Sequence, residues 1–297
     1  MIEKAEIFKL TSMKPSNLTD SFEIDHSLIL ANSDGYTSYI SLNEKNKNPE
    51  VVYKLNKDGF RTENFKKLDN KTFNVLASGC SCTYGQGVPQ QYSWPEILAK
   101  KLQMKLSKPI KMHNLGVMGA SIYLIIKNAM AFIREYGAPD EIYLLLPPDS
   151  RKLVYVDGIK KFKSLVMSPD GYKKMIHGND PSTKRFYESY CEEDSYLLSI
   201  TLISFFEDFC SSNNIRLIWT SYAQPVDEDL YDKVGFKFYK KYTIDDCSDY
   251  HNQDCIDKMP KNIEGMPHWE IAADDDHPGV WWHTDVAKMF YDLREQS

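Results

Sequence analysis

A chain of 297 residues with 42% hydrophobic and 26% charged residues falls in the soluble globular range, which excludes wholesale disorder. Its 36 basic against 42 acidic residues give a formal net charge of −6, which argues against a general electrostatic grip on nucleic acid. The most apolar stretch, residues 196–206, is far shorter than the ~20 residues a helix needs to cross a bilayer, so no membrane partner is expected. Charges interrupt the first residues where a signal peptide needs an apolar core, which implies a cytoplasmic chain at synthesis, or a virion-associated one. Without a signal peptide, the six cysteines are expected to be thiols.

Residues 1–70 are polar and punctuated by Asn, Lys, Asp and Gly, with short β-type runs at 36–42 and 51–55. They read as an accessory β-rich segment before a domain spanning 71–297. The pattern changes at Lys71. Residues 73–79 form a short apolar run ending in Gly79, as in a buried parallel strand. A helix is predicted over 93–106, with Ser93 as N-cap and Pro95 and Glu96 in its first turn. A second strand follows at 110–115. A helix over 121–136 is stopped by Gly137 and Pro139. A third strand covers 141–146 and ends at Pro147-Pro148. An apolar helix is predicted over 194–210 with Asp194 as its cap, then a fourth strand over 215–222, then a last helix from about Val280 to Arg294. This alternation predicts a three-layer α/β/α domain around a parallel sheet. Two polar, Tyr-rich stretches interrupt it, at 151–193 and 223–272. Such insertions belong at the carboxyl edge of the strands, where open α/β sheets bind ligands.

The strongest chemical signal is Gly79-Cys80-Ser81-Cys82-Thr83-Tyr84-Gly85, directly after the first strand of the sheet. A serine at a strand-to-helix turn presents its hydroxyl and its own N–H to the same space, so one residue offers both nucleophile and oxyanion donor. The spacing is not Gly-x-Ser-x-Gly, because Thr83 stands where that motif needs Gly. The second signal is Asp274-Asp275-Asp276-His277-Pro278. A carboxylate three residues before a histidine can fix its tautomer and stabilise the imidazolium, leaving the other ring nitrogen to take a proton from Ser81. Three acids precede His277, so the orienting group is Asp274, Asp275 or Asp276.

With Asn114-Leu115-Gly116-Val117-Met118-Gly119 as a third element, the chain resembles the SGNH, or GDSL-type, hydrolases. Their first block, roughly Gly-Asp-Ser-x-Thr-x-Gly, is matched by Gly79, Ser81, Thr83 and Gly85, with Cys80 in place of the Asp. Gly119 matches the second-block glycine whose N–H faces the oxyanion. Asp274, His277 and Pro278 match the final Asp-x-x-His block. Asn56-x-x-Gly59-Phe60-Arg61 is similar to a lead-in of some microbial and viral members. The resemblance implies a flavodoxin-like SGNH fold over residues 72–297, apart from the insertions. It implies ester hydrolysis with Ser81 as nucleophile, His277 as base, Asp274 as orienting acid, and the N–H groups of Ser81 and Gly119 as oxyanion donors. It implies no metal or organic cofactor. One block departs from the pattern. The position of the family's oxyanion Asn falls at Pro148, which offers no donor. Arg151 or Ser150 then stands as the substitute.

Other readings of the same residues compete. Cys80 or Cys82 would serve as a thiol nucleophile with His277. Cys247, His251 and Cys255 are spaced by four and, with His268, offer a zinc set. Gly85-Gln86-Gly87 hints at a dinucleotide loop but lacks a third glycine. The 13% aromatic content, with 19 Tyr, suits stacking on sugar rings. The expected activity is therefore removal of acyl, above all acetyl, groups from a carbohydrate, with a small-molecule or glycan ester as partner. The alternative is a non-catalytic SGNH-fold protein, glycan-binding or structural, that acts as a homo-oligomer or assembly component.

Overall fold

The computed structural model describes residues 51–156, 161–166, 185, 188–222 and 277–296, together with the backbone of two short strands at 30–31 and 37–41. In chain order the strands are β1 (Leu30–Ala31), β2 (Thr37–Ser41), β3 (Val51–Leu55), β4 (Phe73–Gly79), β5 (Ile110–Asn114), β6 (Glu141–Leu146), β7 (Arg151–Val156), β8 (Lys161–Val166) and β9 (Arg216–Ser221). The helices are α1 (Ser81–Tyr84), α2 (Trp94–Lys105), α3 (Ile122–Tyr136), α4 (Glu192–Ser212) and α5 (Val280–Gln296).

Four strands pair in the order β5-β4-β6-β9, and all three pairings are parallel. Register shows how the layers form. Leu76 of β4 pairs with His113, and Ala77 pairs with Tyr143. Neighbouring residues point to opposite faces of a sheet, so His113 and Tyr143 lie on opposite faces. His113 packs on Phe132 of α3, with ring centroids 5.1 Å apart. Tyr143 meets Phe290 of α5 edge-on at 5.5 Å. On the first face α3 lies beside α4, and on the second α2 lies beside α5, where Trp94 packs on Phe290 with tilted rings and centroids 4.8 Å apart. The result is the expected three-layer α/β/α arrangement. β4 and β6 are buried along nearly their whole length, which explains why both read as continuous apolar runs rather than alternating ones.

The N-terminal part forms a separate antiparallel sheet, β1-β2-β3. Beyond it, Phe60 and Phe65 join the main core, and Phe65 meets Phe132 edge-on at 5.2 Å. The first insertion holds an antiparallel hairpin, β7-β8. No helix among the described residues is long and apolar enough to cross a membrane.

Three caps differ from expectation. α4 begins earlier, after Cys191, so Asp194 lies inside its first turn rather than capping it. Ser93 does sit at the N-cap of α2, but its hydroxyl donates to Gln90 O at 2.7 Å instead of accepting from the helix. Ser121, predicted as the first residue of its helix, is instead the N-cap of α3 and accepts from Leu124 N at 3.4 Å.

The direction of α5 places its start. Near its end, Arg294 Nε donates to both oxygens of Glu141, the first residue of β6, at 2.9 and 3.0 Å. Arg216, the first residue of β9, donates to Arg294 O and lies 3.5 Å from Glu141. Tyr143 Oη donates to Glu141 Oε2 at 2.7 Å. The end of α5 is thus tied to the amino edge of the sheet. A helix antiparallel to its strands then starts at the carboxyl edge, the edge at which β4 delivers Ser81.

Glu141 is a nearly buried carboxylate held by two guanidinium groups and a phenol. Removing its charge leaves Arg294 facing a neutral amide in place of a carboxylate. Glu141→Gln is expected to lose about 3–5 kcal/mol in a denaturant titration; a loss within experimental error would show that the cluster does not hold α5.

Two buried histidines set an acid limit. Burial holds His113 down at about 4, with Lys111 adding to the effect. Burial, then Arg61 and His277, holds His283 down at about 3, and its Nδ1 accepts from Trp94 N at 3.2 Å. Both rings are neutral in the fold, whereas the unfolded chain takes up protons below about 6.5. Their contribution is therefore present above that pH and is lost as pH falls toward 4 and then 3. The thermal midpoint is expected to fall over this range, and to fall less in His113→Leu. An identical acid slope in that variant would contradict the assignment.

Candidate functional site

The turn after β4 is built by close approach. A Cβ on Gly79 would stand 1.9 Å from Thr83 Oγ1 and 2.8 Å from Leu145 O. A Cβ on Gly116 would stand 2.2 Å from Tyr84 N. Both positions need glycine for space rather than for backbone angle. Asn114, the last residue of β5, fixes the contact. Its Nδ2 donates to Thr83 O at 2.8 Å, and its Oδ1 accepts from Gly116 N at 2.8 Å. α1 is therefore wedged between the ends of β4 and β5, and Ser81 opens it. The N–H groups of a first helical turn have no acceptor within their own helix.

Gly119 follows β5 with φ +69°, and a Cβ there would meet nothing within 4 Å. It faces open space, in contrast to Gly116. His277 is half-buried and lies three residues before α5, at the same carboxyl edge. The structure thus brings Ser81, Gly119 and His277 to one edge of the sheet. Ser81 itself is only 5% exposed, and its Oγ donates to Cys80 Sγ at 3.7 Å, not to His277. Asp274, Asp275 and Asp276 lie outside the described residues.

Cys80, the substitute for the family's Asp, is fully buried beneath the turn. Its Sγ lies 3.3 Å from Tyr222 Oη, directly after β9. A hydrogen bond from the Cys82 thiol, helped by the charge of Arg151 and by Tyr222, draws the Cys80 thiol well below its ordinary range against the opposing effect of burial. The same hydrogen bond, together with burial, pushes Cys82 up. Burial, followed by the two thiols, pushes Tyr222 well up, so it is a neutral phenol. Both thiols are buried, as is Ser81.

Arg151 begins β7. Its Nε and Nη1 are buried without a hydrogen-bond partner. Two unsatisfied guanidinium nitrogens near the turn at Ser81 are donors available to an acceptor. Pro148 stands before it, as the sequence indicated, and its carbonyl accepts from Arg151 N at 3.3 Å.

The loop after α1 is not a phosphate cradle. Gly85 N and Gln86 N donate to Ser81 O at 2.9 and 3.0 Å, Gly87 N donates to Tyr53 Oη at 2.7 Å, and Val88 N donates to Gly85 O at 3.3 Å. All four amides are consumed within the chain. Cys247, His251, Cys255 and His268 lie outside the described residues. Three features escaped the sequence reading. The contact of Tyr222 with Cys80 follows from β9 pairing beside β6, which no local pattern encodes. The roles of Asn114 and Tyr53 as ties on α1 also depend on tertiary placement.

The serine turn follows β4 and the glycine follows the neighbouring strand β5. The fold is a three-layer α/β/α arrangement about a parallel sheet, as the resemblance implied. Solved structures of an esterase and of a G-D-S-L lipolytic protein are similar to it. The psychrotrophic esterase EstA from a Pseudoalteromonas species shares 15% identity, with a TM-score of 0.34, over 75% of this chain and 97% of its own. A member of the lipolytic protein G-D-S-L family from Veillonella parvula shares 14% identity, with a TM-score of 0.24, over 55% of this chain and 84% of its own. At these scores the likenesses carry no argument by themselves. No family model and no curated protein matches the chain.

The two second-block glycines make a paired test. Gly116→Ala drives a Cβ into the α1 backbone and is expected to destabilise the fold and abolish reaction at Ser81. Gly119→Ala meets only the left-handed backbone cost of about 1–2 kcal/mol. It is expected to fold, as read by circular dichroism and a thermal melt. Equal stability of the two variants would refute the wedge.

Proposed function

We propose that this protein is a serine ester hydrolase of the SGNH kind that removes O-acyl groups, above all acetyl, from a carbohydrate. The observation that carries the reading is the convergence of Ser81, Gly119 and His277 at the carboxyl edge of the sheet, with Ser81 at the mouth of a turn wedged by Gly79 and Gly116. Ser81 Oγ attacks the acyl carbon and His277 takes its proton. The N–H groups of Ser81 and Gly119 receive the oxyanion. Arg151 supplies the charge-assisted donor that Pro148 cannot, and its two unsatisfied buried nitrogens support that role. Collapse of the tetrahedral intermediate releases the alcohol, protonated by His277, and leaves an acyl-Ser81. Water, deprotonated by His277, then attacks the acyl carbon and frees the acid and Ser81. Asp274 orients His277 throughout.

The carbohydrate assignment rests on the Tyr-rich insertions 151–193 and 223–272, whose aromatic faces suit sugar rings. A second reading is a weakly active or non-catalytic SGNH-fold protein in a larger assembly, such as a virus particle. The bond from Ser81 to Cys80 and the proline at the donor position favour it.

Hydrolysis of p-nitrophenyl acetate, and acetate release from acetylated sugars, separate the two. Ser81→Ala is expected to eliminate turnover while leaving the fold intact. Arg151→Met is expected to lower kcat by ~10²–10³-fold with little change in KM. Retained turnover in Ser81→Ala would defeat the assignment, and an unchanged kcat in Arg151→Met would remove Arg151 from the oxyanion site.

A further inference from the structure

Arg61 is 1% exposed, although it comes from the lead-in segment rather than from the sheet or its covering helices. Its placement begins with Asn56. Asn56 Oδ1 accepts from Asp58 N and Phe60 N at 3.0 and 2.9 Å, and its Nδ2 donates to Glu63 O at 3.1 Å. Gly59 takes φ +83° in the same turn. The turn sends Phe60 into the core, where it packs on Phe65 at 5.6 Å, and aims Arg61 at α1.

There the guanidinium binds three main-chain carbonyls. Nη1 donates to Tyr84 O at 3.4 Å and also to Gly85 O, and Nη2 donates to Val88 O at 2.8 Å. Its carbon lies 4.6 Å from the centre of the Tyr53 ring and 5.8 Å from that of Tyr84. Tyr53 Oη holds the same loop by accepting from Gly87 N. No carboxylate pairs with Arg61 among the described residues. Burying a cation against carbonyls alone is a costly way to gain stability, because an apolar side chain of similar volume commonly serves as well or better. What the guanidinium offers instead is a rigid, planar fork of donors.

The tie leads to the nucleophile in one step. The loop that Arg61 grips supplies Gly85 N and Gln86 N, and both donate to Ser81 O. We propose that Arg61 is a positioning residue for Ser81: by holding the carbonyls of Tyr84, Gly85 and Val88 it fixes the amides that grip the Ser81 carbonyl, and so sets the direction of the Ser81 hydroxyl and N–H. This rests on the reading of Ser81 as nucleophile. It makes the segment from Tyr53 to Arg61 part of the site.

The test compares wild type with Arg61→Met, Arg61→Lys and Tyr53→Phe. Three quantities are read on each: the rate of fluorophosphonate labelling at Ser81, the thermal midpoint, and amide hydrogen exchange by peptide. Displacing a nucleophile by about 1 Å costs ~10²-fold in rate. Arg61→Met is expected to label ~10²-fold more slowly than wild type. Its exchange should quicken across 85–88 and not in β4 or β6. Arg61→Lys, whose single ammonium reaches fewer carbonyls, should recover part of the rate. A wild-type labelling rate in Arg61→Met, or an exchange change spread evenly through β4 and β6, would overturn the proposal. If Arg61→Met does not fold, Tyr53→Phe carries the same test, with slower labelling and faster exchange at Gly87 expected and wild-type values overturning it. Absence of label on the folded wild-type protein would instead defeat the serine reading, and the exchange pattern would then decide alone whether Arg61 holds the loop.

Discussion

Everything at the carboxyl edge of the sheet depends on a single close approach. The backbone of α1 lies so near β4 and the end of β5 that Gly79 and Gly116 have no room for a Cβ. Asn114 turns that proximity into hydrogen bonds, and the Ser81 carbonyl collects two amides from the following loop. A serine held this firmly has little freedom to lose in a reaction, which is the condition for useful positioning. Arg61 and Tyr53 hold the far side of the same turn. The fold therefore spends a buried cation on four residues of backbone.

Beneath the turn the electrostatics differ from the family's usual pattern. A thiol takes the place of a carboxylate, and Arg151 sits beside it where the usual amide donor is missing. The charge of Arg151 helps draw the Cys80 thiol down, and Cys80 in turn favours the charged guanidinium. Arg151 Nε and Nη1 remain buried without a hydrogen-bond partner. At the opposite edge Glu141 does the contrary. It binds Arg294 and lies near Arg216, which anchors α5 and fixes the edge from which His277 emerges.

The sheet was legible because its central strands are buried on both faces. Phe73–Gly79 and Glu141–Leu146 appear in the sequence as apolar runs closed by Gly and Pro, and they pair as parallel neighbours. Helices α2 and α3 were legible from their spacing and from Pro95, Ser121 and Gly137. The hairpin β7-β8 was hidden by its charged residues, since a two-stranded ribbon needs no continuous apolar run. The start of α4 was misplaced because Asp194 is a good cap in isolation, whereas Cys191 takes that position. Motif spacing pointed to Ser81, Gly119 and His277, which lie at turns and loops flanking the strands. Spacing does not reveal Tyr222 or the grip of Arg61, because both contacts join segments distant in sequence.

The central claim is that the wedged turn presents an activated serine. Fluorophosphonate labelling of the intact protein, mapped by mass spectrometry, tests it without knowledge of the substrate. The account predicts a single adduct on Ser81 that is lost in His277→Ala. An adduct on Cys80 or Cys82, or none on the folded protein, would contradict it.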